Sequence, residues 1–484
     1  MSTFQEVNEK RTNYRWVICT MLFFATTVNY LDRQVLSLTW KDFIAPEFHW
    51  TNNDYGNITA LFSIIYAASM LFAGRLVDWL GTKKGFLLAI GIWSLGACLH
   101  AFCGIATSGI ITGNWFVGFE TAKDIIAAVN NTAMIVNVSV TLFIFARFVL
   151  AVGESGNFPA AIKATAEYFP KKDRAFSTSI FNAGATVGAL GAPISIPFLA
   201  KAWGWEAAFI VIGALGFLWM GFWTFLYKKP ETNPKVNAAE LAYIQQDRDT
   251  TPAGKEKDKT PERKLSFAEC FKFKQTWAFA FGKFMTDGVW WFFLFWTPAY
   301  LSSVYGMEAT KAALPLFVLY MITLLSIIGG WLPSYFVDKK GMNPYAGRMK
   351  AMLIFAFFPL LALLAQPLGQ ISYWMPIIII GIAGAAHQSW SANIFSTVGD
   401  MFPQSAIATV TGIGGMAGGV GSFIINKSSG VLFDYAGETQ MVFMGFQGEK
   451  AGYFIIFSIC AVAYLIGWIV IKALVPKYKP IVVA

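Results

Sequence analysis

Apolar residues in this chain come in continuous runs of about 20, the length that crosses a bilayer as an α-helix, separated by short polar segments. The runs fall near 15–37, 56–78, 85–106, 138–160, 175–200, 206–227, 276–303, 313–337, 350–366, 373–397, 405–428 and 451–475. Twelve transmembrane helices are predicted, with ends good to about 2–4 residues. The first run follows Arg11 and Arg15 but is long, holds Asp32 and Arg33, and lacks a small-residue cleavage site. It reads as a retained span, not a signal peptide. The longest polar stretch splits the runs six and six, which predicts an N-terminal bundle over 1–227, a cytoplasmic linker over 228–275 and a C-terminal bundle over 276–484. Within the linker, 235–248 predicts a short helix and 265–274 an amphipathic one lying on the membrane.

Composition agrees with an all-α polytopic membrane protein. Of 484 residues, 56% are hydrophobic and only 13% charged, against about 25% charged in soluble domains. That excludes a string of soluble domains and a disordered chain, and five Cys are too few for a disulfide scaffold. A net charge of +9 would suit nucleic acid, but the basic residues gather in alternate loops. Lys83-Lys84, then Lys171, Lys172 and Arg174, then Lys339, Lys340, Arg348 and Lys350 fall on the side of Lys10, Arg11 and Arg15. Roughly 27 Lys/Arg lie there against about 6 opposite, which predicts both termini in the cytoplasm and no nucleic-acid partner.

The two halves repeat one another. Glu167-Tyr168-Phe169-Pro170 after the fourth run matches Asp400-Met401-Phe402-Pro403 after the tenth, and each precedes a Gly-rich helix. Gly74 to Asp78 and Lys83-Lys84-Gly85 echo Gly330 to Asp338 and Lys339-Lys340-Gly341. The offset is 287 − 32 = 255 early and 400 − 167 = 233 later, so the first half carries about 22 extra residues. Residues 107–137 hold them and predict an outward loop or hairpin. Two parallel six-helix repeats are the build of the major facilitator fold, in which substrate binds between the halves near the bilayer midplane.

Ionisable residues inside spans cost about 2.5–3.5 kcal/mol each, so those present need a reason, either pairing that holds helices together or a function. They are Asp32 and Arg33 in the first span, Arg147 and Glu154 in the fourth, Lys283 and Asp287 in the seventh, with His387-Gln388 in the tenth. His387 takes the register of Glu154 (387 − 154 = 233). Arg147 and Glu154, seven apart, share one helical face. Depth along the helices places Arg147 in the same half of the membrane as Asp32. An Asp32–Arg147 pair is expected, with Glu154 more isolated and suited to loading a proton. The cations Arg33, Arg147 and Lys283 predict an anionic substrate, Arg being fitted to grip a carboxylate with two nitrogens. Tyr30, Tyr66, Trp291, Gln388 and Asn393 are candidates to hydrogen-bond or stack on a sugar. Three His make a metal cluster unexpected, and Cys98 and Cys103 read as apolar filler. No nucleophile–base set marks an enzyme, and the linker is too short for a sensor's output domain.

Asn29 to Arg33, Gly74 to Lys84, Arg147 through Glu154 to Pro159, and Tyr168 to Arg174 resemble the anion:cation symporter branch of the major facilitator superfamily. Ala386-His387-Gln388 and Lys283 to Asp287 are similar to its bacterial hexuronate transporters. The resemblance implies proton-driven uptake of a sugar-acid anion such as glucuronate or galacturonate across a bacterial inner membrane, by a monomer with no cofactor beyond the proton. An aldonate (galactonate-like) or other organic anion is the alternative cargo. It implies substrate contacts at Arg33, Tyr66 and Arg147 and proton coupling at Asp32 and Glu154, to which Asp287 is added. Gly74, Asp78, Gly81, Lys83, Lys84 and Arg174 are the gating positions.

Overall fold

The computed structural model describes residues 10–246 and 265–481, and they form twelve long helical segments. The first bundle comprises α1 (Arg15–Thr39), α2 (Asn52–Leu80), α3 (Thr82–Ala101), α4 (Thr132–Glu154, resumed as Asn157–Tyr168), α5 (Lys171–Trp203) and α6 (Trp205–Leu226). The second comprises α7 (Lys274–Tyr305), α8 (Ala309–Thr323, resumed as Ile327–Lys340), α9 (Pro344–Phe357, running on to Gly369), α10 (Trp374–Met401), α11 (Gln404–Glu438) and α12 (Glu449–Leu474). Most outrun the apolar stretches by a few residues at their ends. At the start of α2 the Thr51 side chain and Asp54 form a reciprocal capping box. Pro170 opens α5 and Pro403 opens α11. Gly81 holds φ +77° between α2 and α3, a left-handed turn that a Cβ would strain.

Eight of the twelve, α2–α6, α8, α9 and α12, are long and apolar enough to cross a membrane by length and composition. The remaining four, α1, α7, α10 and α11, are the ones diluted by Asp32 and Arg33, by Lys283 and Asp287, by His387 and Gln388, and by a run of glycines. Polar dilution therefore singles out particular helices, and α1 and α7 are repeat equivalents.

Close packing follows the repeat. In the first half α5 lies along α1, and in the second α11 lies along α7. A Cβ on Gly184 or Gly188 would strike the α1 backbone at Phe23 and Thr27, and one on Gly421 would strike the α7 backbone at Phe284. Small residues let these backbones approach. Between the halves, α2 packs on α11 and α5 on α8.

The first and last described residues and the described parts of the linker lie at one face, where Asn237 donates to the Lys10 carbonyl and Gln275 to the Lys479 carbonyl. There Glu167 accepts from Thr82 Oγ1 at 2.7 Å and from the Tyr227 hydroxyl, joining the ends of α3, α4 and α6. Its repeat partner Asp400 accepts from Arg348 Nε at 2.7 Å while its carbonyl accepts from the Tyr478 hydroxyl at 3.1 Å. The linker helix is Ala238–Gln245, and its buried Glu240 accepts from the Tyr14 and Arg15 backbone N–H groups and pairs with Arg15 Nη1 at 3.1 Å. The expected amphipathic helix over 265–274 is only one turn, Phe267–Cys270, after which α7 begins at Lys274. Residues 250–257 of the linker lie outside the described ones.

The opposite face carries two projections. Residues 103–127 form a hairpin of two short helices, Cys103–Thr112 and Phe119–Ala127. Its second helix is tied down by Lys123, which pairs with Glu206 at 3.2 Å and Glu120 at 3.0 Å. Beside it Glu47 accepts from Trp205 Nε1 at 2.7 Å. Burial pushes the Glu47 carboxyl up to about 7, with the charge of Glu206 adding to the effect and the Trp205 hydrogen bond and Lys123 opposing it. The second projection is a two-stranded ribbon, Val442–Phe443 with Phe446–Gln447, between α11 and α12.

Candidate functional site

Arg33 stands at the centre of a cluster contributed by both halves. Its guanidinium faces the rings of Tyr30, Tyr66 and, from α7, Trp291 at 5.1, 4.7 and 5.1 Å. Phe62 lies 5.9 Å away. One turn apart on α2, Phe62 and Tyr66 present a single aromatic face, and Trp291 meets both at 5.8 Å. Rings around a desolvated guanidinium are attractive by about 0.5–2 kcal/mol each.

The ion pairing differs from the expectation. Glu154 is not isolated: Arg33 donates to its Oε2 from Nε at 2.9 Å and Nη2 at 2.7 Å, and the Glu154 side chain is fully buried. The expected Asp32–Arg147 pair does not form. Asp32 and Arg33 are neighbours on a helix, so their side chains diverge by about 100°. Arg33 takes the direction toward Glu154, while Asp32 turns toward Trp93 of α3, its two oxygens buried without a hydrogen bond. Asn29, one turn earlier, is buried and unpartnered in the same way.

Arg147 is left free. It is 2% exposed, its guanidinium packs over the Phe62 ring at 5.2 Å, and Nε and Nη1 are buried with no hydrogen-bond partner. A buried, unpaired cation is costly. The chemical capacity that results is to receive an anion, since two of its N–H-bearing nitrogens have no partner within the protein.

A second cluster lies in the C-terminal half. Lys283 and Asp287, one turn apart on α7, pair at 2.8 Å, and Lys283 Nζ lies 4.3 Å from the Phe395 ring centre. Gly418 of α11 leaves room for the Asp287 carboxylate. On α10, the His387 ring stacks parallel to Trp290 at 5.4 Å, and its Nδ1 is 2.7 Å from the Tyr464 hydroxyl of α12. Gln388 is half-buried. Asn393 donates both amide hydrogens to backbone carbonyls, Gly329 at 2.9 Å and Ser389 at 2.8 Å, so it fastens α10 to α8.

Of the gating positions, Lys83 donates to the Thr224 carbonyl at 2.7 Å, and Arg174 donates to Phe169 and Ala166 carbonyls at 3.0 and 3.1 Å. Gly74 and Gly81 have open space around them, and Lys84 is exposed. The side chain of Asp78 lies outside the described ones. The sequence reading did not single out Phe62, Trp290 or Tyr464. Phe62 had a signal, its spacing of four from Tyr66; Tyr464 had none, being one aromatic in an apolar run.

The sequence profile of the Major Facilitator Superfamily matches residues 22–425. Among curated proteins, a hexuronate transporter of Escherichia coli (strain K12) is 25% identical over 475 residues, which is 97% of this chain and 96% of the relative. A probable galactarate/D-glucarate transporter of the same strain is 26% identical over 456 residues, 91% of this chain and 94% of the relative. Among solved structures, a bacterial homolog of the human lysosomal transporter Spinster, inward-facing and unoccupied, superposes with a TM-score of 0.65 at 18% identity, covering 96% of each chain. At that identity the likeness concerns the fold.

Proposed function

The chain belongs to the Major Facilitator Superfamily, a family of membrane transporters rather than enzymes, and on that premise we propose that it moves a sugar-acid anion by proton symport. The observation that carries this reading is the buried Arg147 guanidinium, with two nitrogens unpartnered, beside an Arg33–Glu154 pair ringed by Tyr30, Tyr66 and Trp291. A substrate carboxylate binds Arg147 with two charge-assisted hydrogen bonds. The sugar lies against the Tyr66–Trp291 wall, and its far end reaches toward Lys283 and His387.

Coupling follows from competition for Arg33. While Glu154 is ionised it holds the guanidinium. When a proton reaches Glu154 the pair dissolves, and Arg33 joins Arg147 in holding the anion. Loss of that proton returns Arg33 to Glu154 and loosens the substrate. Asp32, buried near Arg147 and Glu154, is the second proton carrier, and Asp287 answers Lys283 in the other half.

Alternating access requires a seal on one side of the substrate, and it is seen away from the face of the chain ends. At the opposite face Tyr55 donates to the Phe295 carbonyl at 2.8 Å and Lys427 to Asn53 Oδ1 at 2.7 Å, closing the halves together. In this reading the Lys/Arg-rich loops and the chain ends face the cytoplasm, and the chain spans a bacterial inner membrane.

The test is uptake of radiolabelled glucuronate, galacturonate and galactonate into proteoliposomes, with and without an inward proton gradient. Gradient-stimulated uptake of a hexuronate is expected. Preference for galactonate would move the substrate to the aldonates, stimulation by Na⁺ alone would overturn proton coupling, and transport of no anion would overturn the reading.

A further inference from the structure

His387 and His100 are both buried histidines with opposite hydrogen-bond partners. His100 Nδ1 lies 2.7 Å from the Gly96 carbonyl, which can only accept, so that nitrogen carries the proton. His387 Nδ1 lies 2.7 Å from the Tyr464 hydroxyl, which can donate or accept. The other group in reach of that hydroxyl is the Thr286 carbonyl, at 3.4 Å. If Nδ1 of His387 were the donor, the phenolic proton would have only that long contact, in a side chain with 0% exposure. The shorter bond therefore uses the phenolic proton, and a buried donor is left well satisfied. Nδ1 then accepts, and the proton of the neutral ring sits on Nε2.

The ring has no freedom to choose otherwise. Trp290 covers one face in parallel, at an interplanar angle of 2°. Tyr464 itself is fixed by Trp390, packed edge-on at 5.5 Å. Among the described residues Nε2 has no protein partner. We propose that Tyr464 is a positioning residue that sets the tautomer of His387, so that Nε2–H is the donor reading a hydroxyl oxygen of a polyhydroxylated substrate. The inference rests on the sugar-acid reading above and deepens it. Arg147 supplies the grip on the carboxylate; His387, at the register of Glu154 in the other repeat, supplies discrimination for the hydroxylated end. A site built to hydrogen-bond a hydroxyl rejects an analogue that lacks it far more strongly than an apolar pocket does.

With only three His in the chain, the tautomer can be read directly. Protein labelled with ¹⁵N-histidine should show one buried ring protonated at Nε2, assigned by its loss in His387→Gln, and His100 protonated at Nδ1 as the internal contrast. In Tyr464→Phe the His387 signal should leave the pure Nε2–H position. KM for the transported sugar acid should rise about 10-fold with kcat held, one lost hydrogen bond being worth about 1.4 kcal/mol. Inhibition by a ring carboxylate without hydroxyls should not change. His387→Gln keeps a donor near Nε2 without a tautomer to set, so adding Tyr464→Phe to it should cost little more. A wild-type His387 protonated at Nδ1, a tautomer unmoved in Tyr464→Phe, or additive losses in the double variant would each overturn the inference. If the tautomer behaves as expected but no sugar acid is transported, the transport reading falls, and with it the hydroxyl contact, while Tyr464 keeps its hold on the ring.

Discussion

Asp434, near the end of α11 in the C-terminal half, accepts three hydrogen bonds at the start of α2 in the N-terminal half, and two of them come from Asn52: its backbone N–H at 2.9 Å and its side-chain amide at 2.9 Å. The third is the Asn53 N–H at 2.6 Å. A carboxylate thus sits on the N-terminus of a helix belonging to the other half, where the helix dipole and free N–H groups favour it. Asp42 does the same in the reverse direction, accepting from Ser302 Oγ at 2.9 Å and from the N–H of Ala309, the first residue of α8. The repeat-equivalent helices α2 and α8 are each held by an acid from across the interface.

Asp434→Asn should weaken this closure by about 1–2 kcal/mol, since hydrogen bonds to a charged acceptor become neutral ones. The population open at that face should rise about 5- to 30-fold. Spin-label distances between the outer ends of α2 and α11 would report it as growth of a longer-distance component, and an unchanged distribution would remove Asp434 from the closure.

Arg147→Lys should not rescue transport. An ammonium keeps the charge but loses the planar fork, and it is more strongly hydrated than a guanidinium. Truncating one partner of a buried charged contact costs about 2–5 kcal/mol, so kcat/KM for uptake should fall at least about 30-fold in both Arg147→Lys and Arg147→Ala. Initial uptake rates against substrate concentration measure this.

Glu154→Gln separates binding from coupling. The amide cannot ionise, so Arg33 stays released and substrate can still bind. Exchange of labelled for unlabelled substrate should persist while accumulation driven by a pH gradient is lost. Wild-type accumulation would take the proton-coupling role from Glu154.

Glu47 makes the attachment of the 103–127 hairpin depend on pH. Its carboxyl is raised in the folded protein, to about 7, above the ordinary glutamate value near 4.3. Stability tied to the protonated form is therefore fully present below about 4.3 and is lost as pH rises through 7. Amide exchange over 119–127, corrected for the intrinsic pH dependence, should quicken between about pH 4.3 and 7 and level off above that. Glu47→Gln, which keeps an acceptor for Trp205 Nε1 without the charge, should flatten that dependence and slow exchange at pH 8.

Much of the site was legible residue by residue, because a charge inside an apolar run needs a reason to be there. Arg33, Arg147, Glu154, Lys283 and Asp287 were singled out on that ground alone, and the Lys283–Asp287 contact followed from a spacing of four on one helix. The partners of Arg33 and Arg147 were not legible. Depth along a helix comes from counting, but azimuth about it comes from packing, and the choice between Asp32 and Arg33 as the residue facing Glu154 is one of azimuth. Tyr464 was invisible for a related reason: its role depends on which ring lies beside it, and α12 gave no sign of approaching α10.

The sequence by itself determined that twelve apolar helices fall in two repeated sets, that loop charge is distributed between two faces, and that ionisable residues sit in α1, α4 and α7. Those are properties of hydropathy and order, which water and lipid impose on any chain with this pattern. Only the tertiary structure decided that Arg33 is held by Glu154 while Arg147 is free, and that Asp434 and Asp42 close one face by seating on helices of the opposite half. Such pairings join residues more than a hundred positions apart, and they depend on helix rotation and crossing, set by the side chains of both helices together.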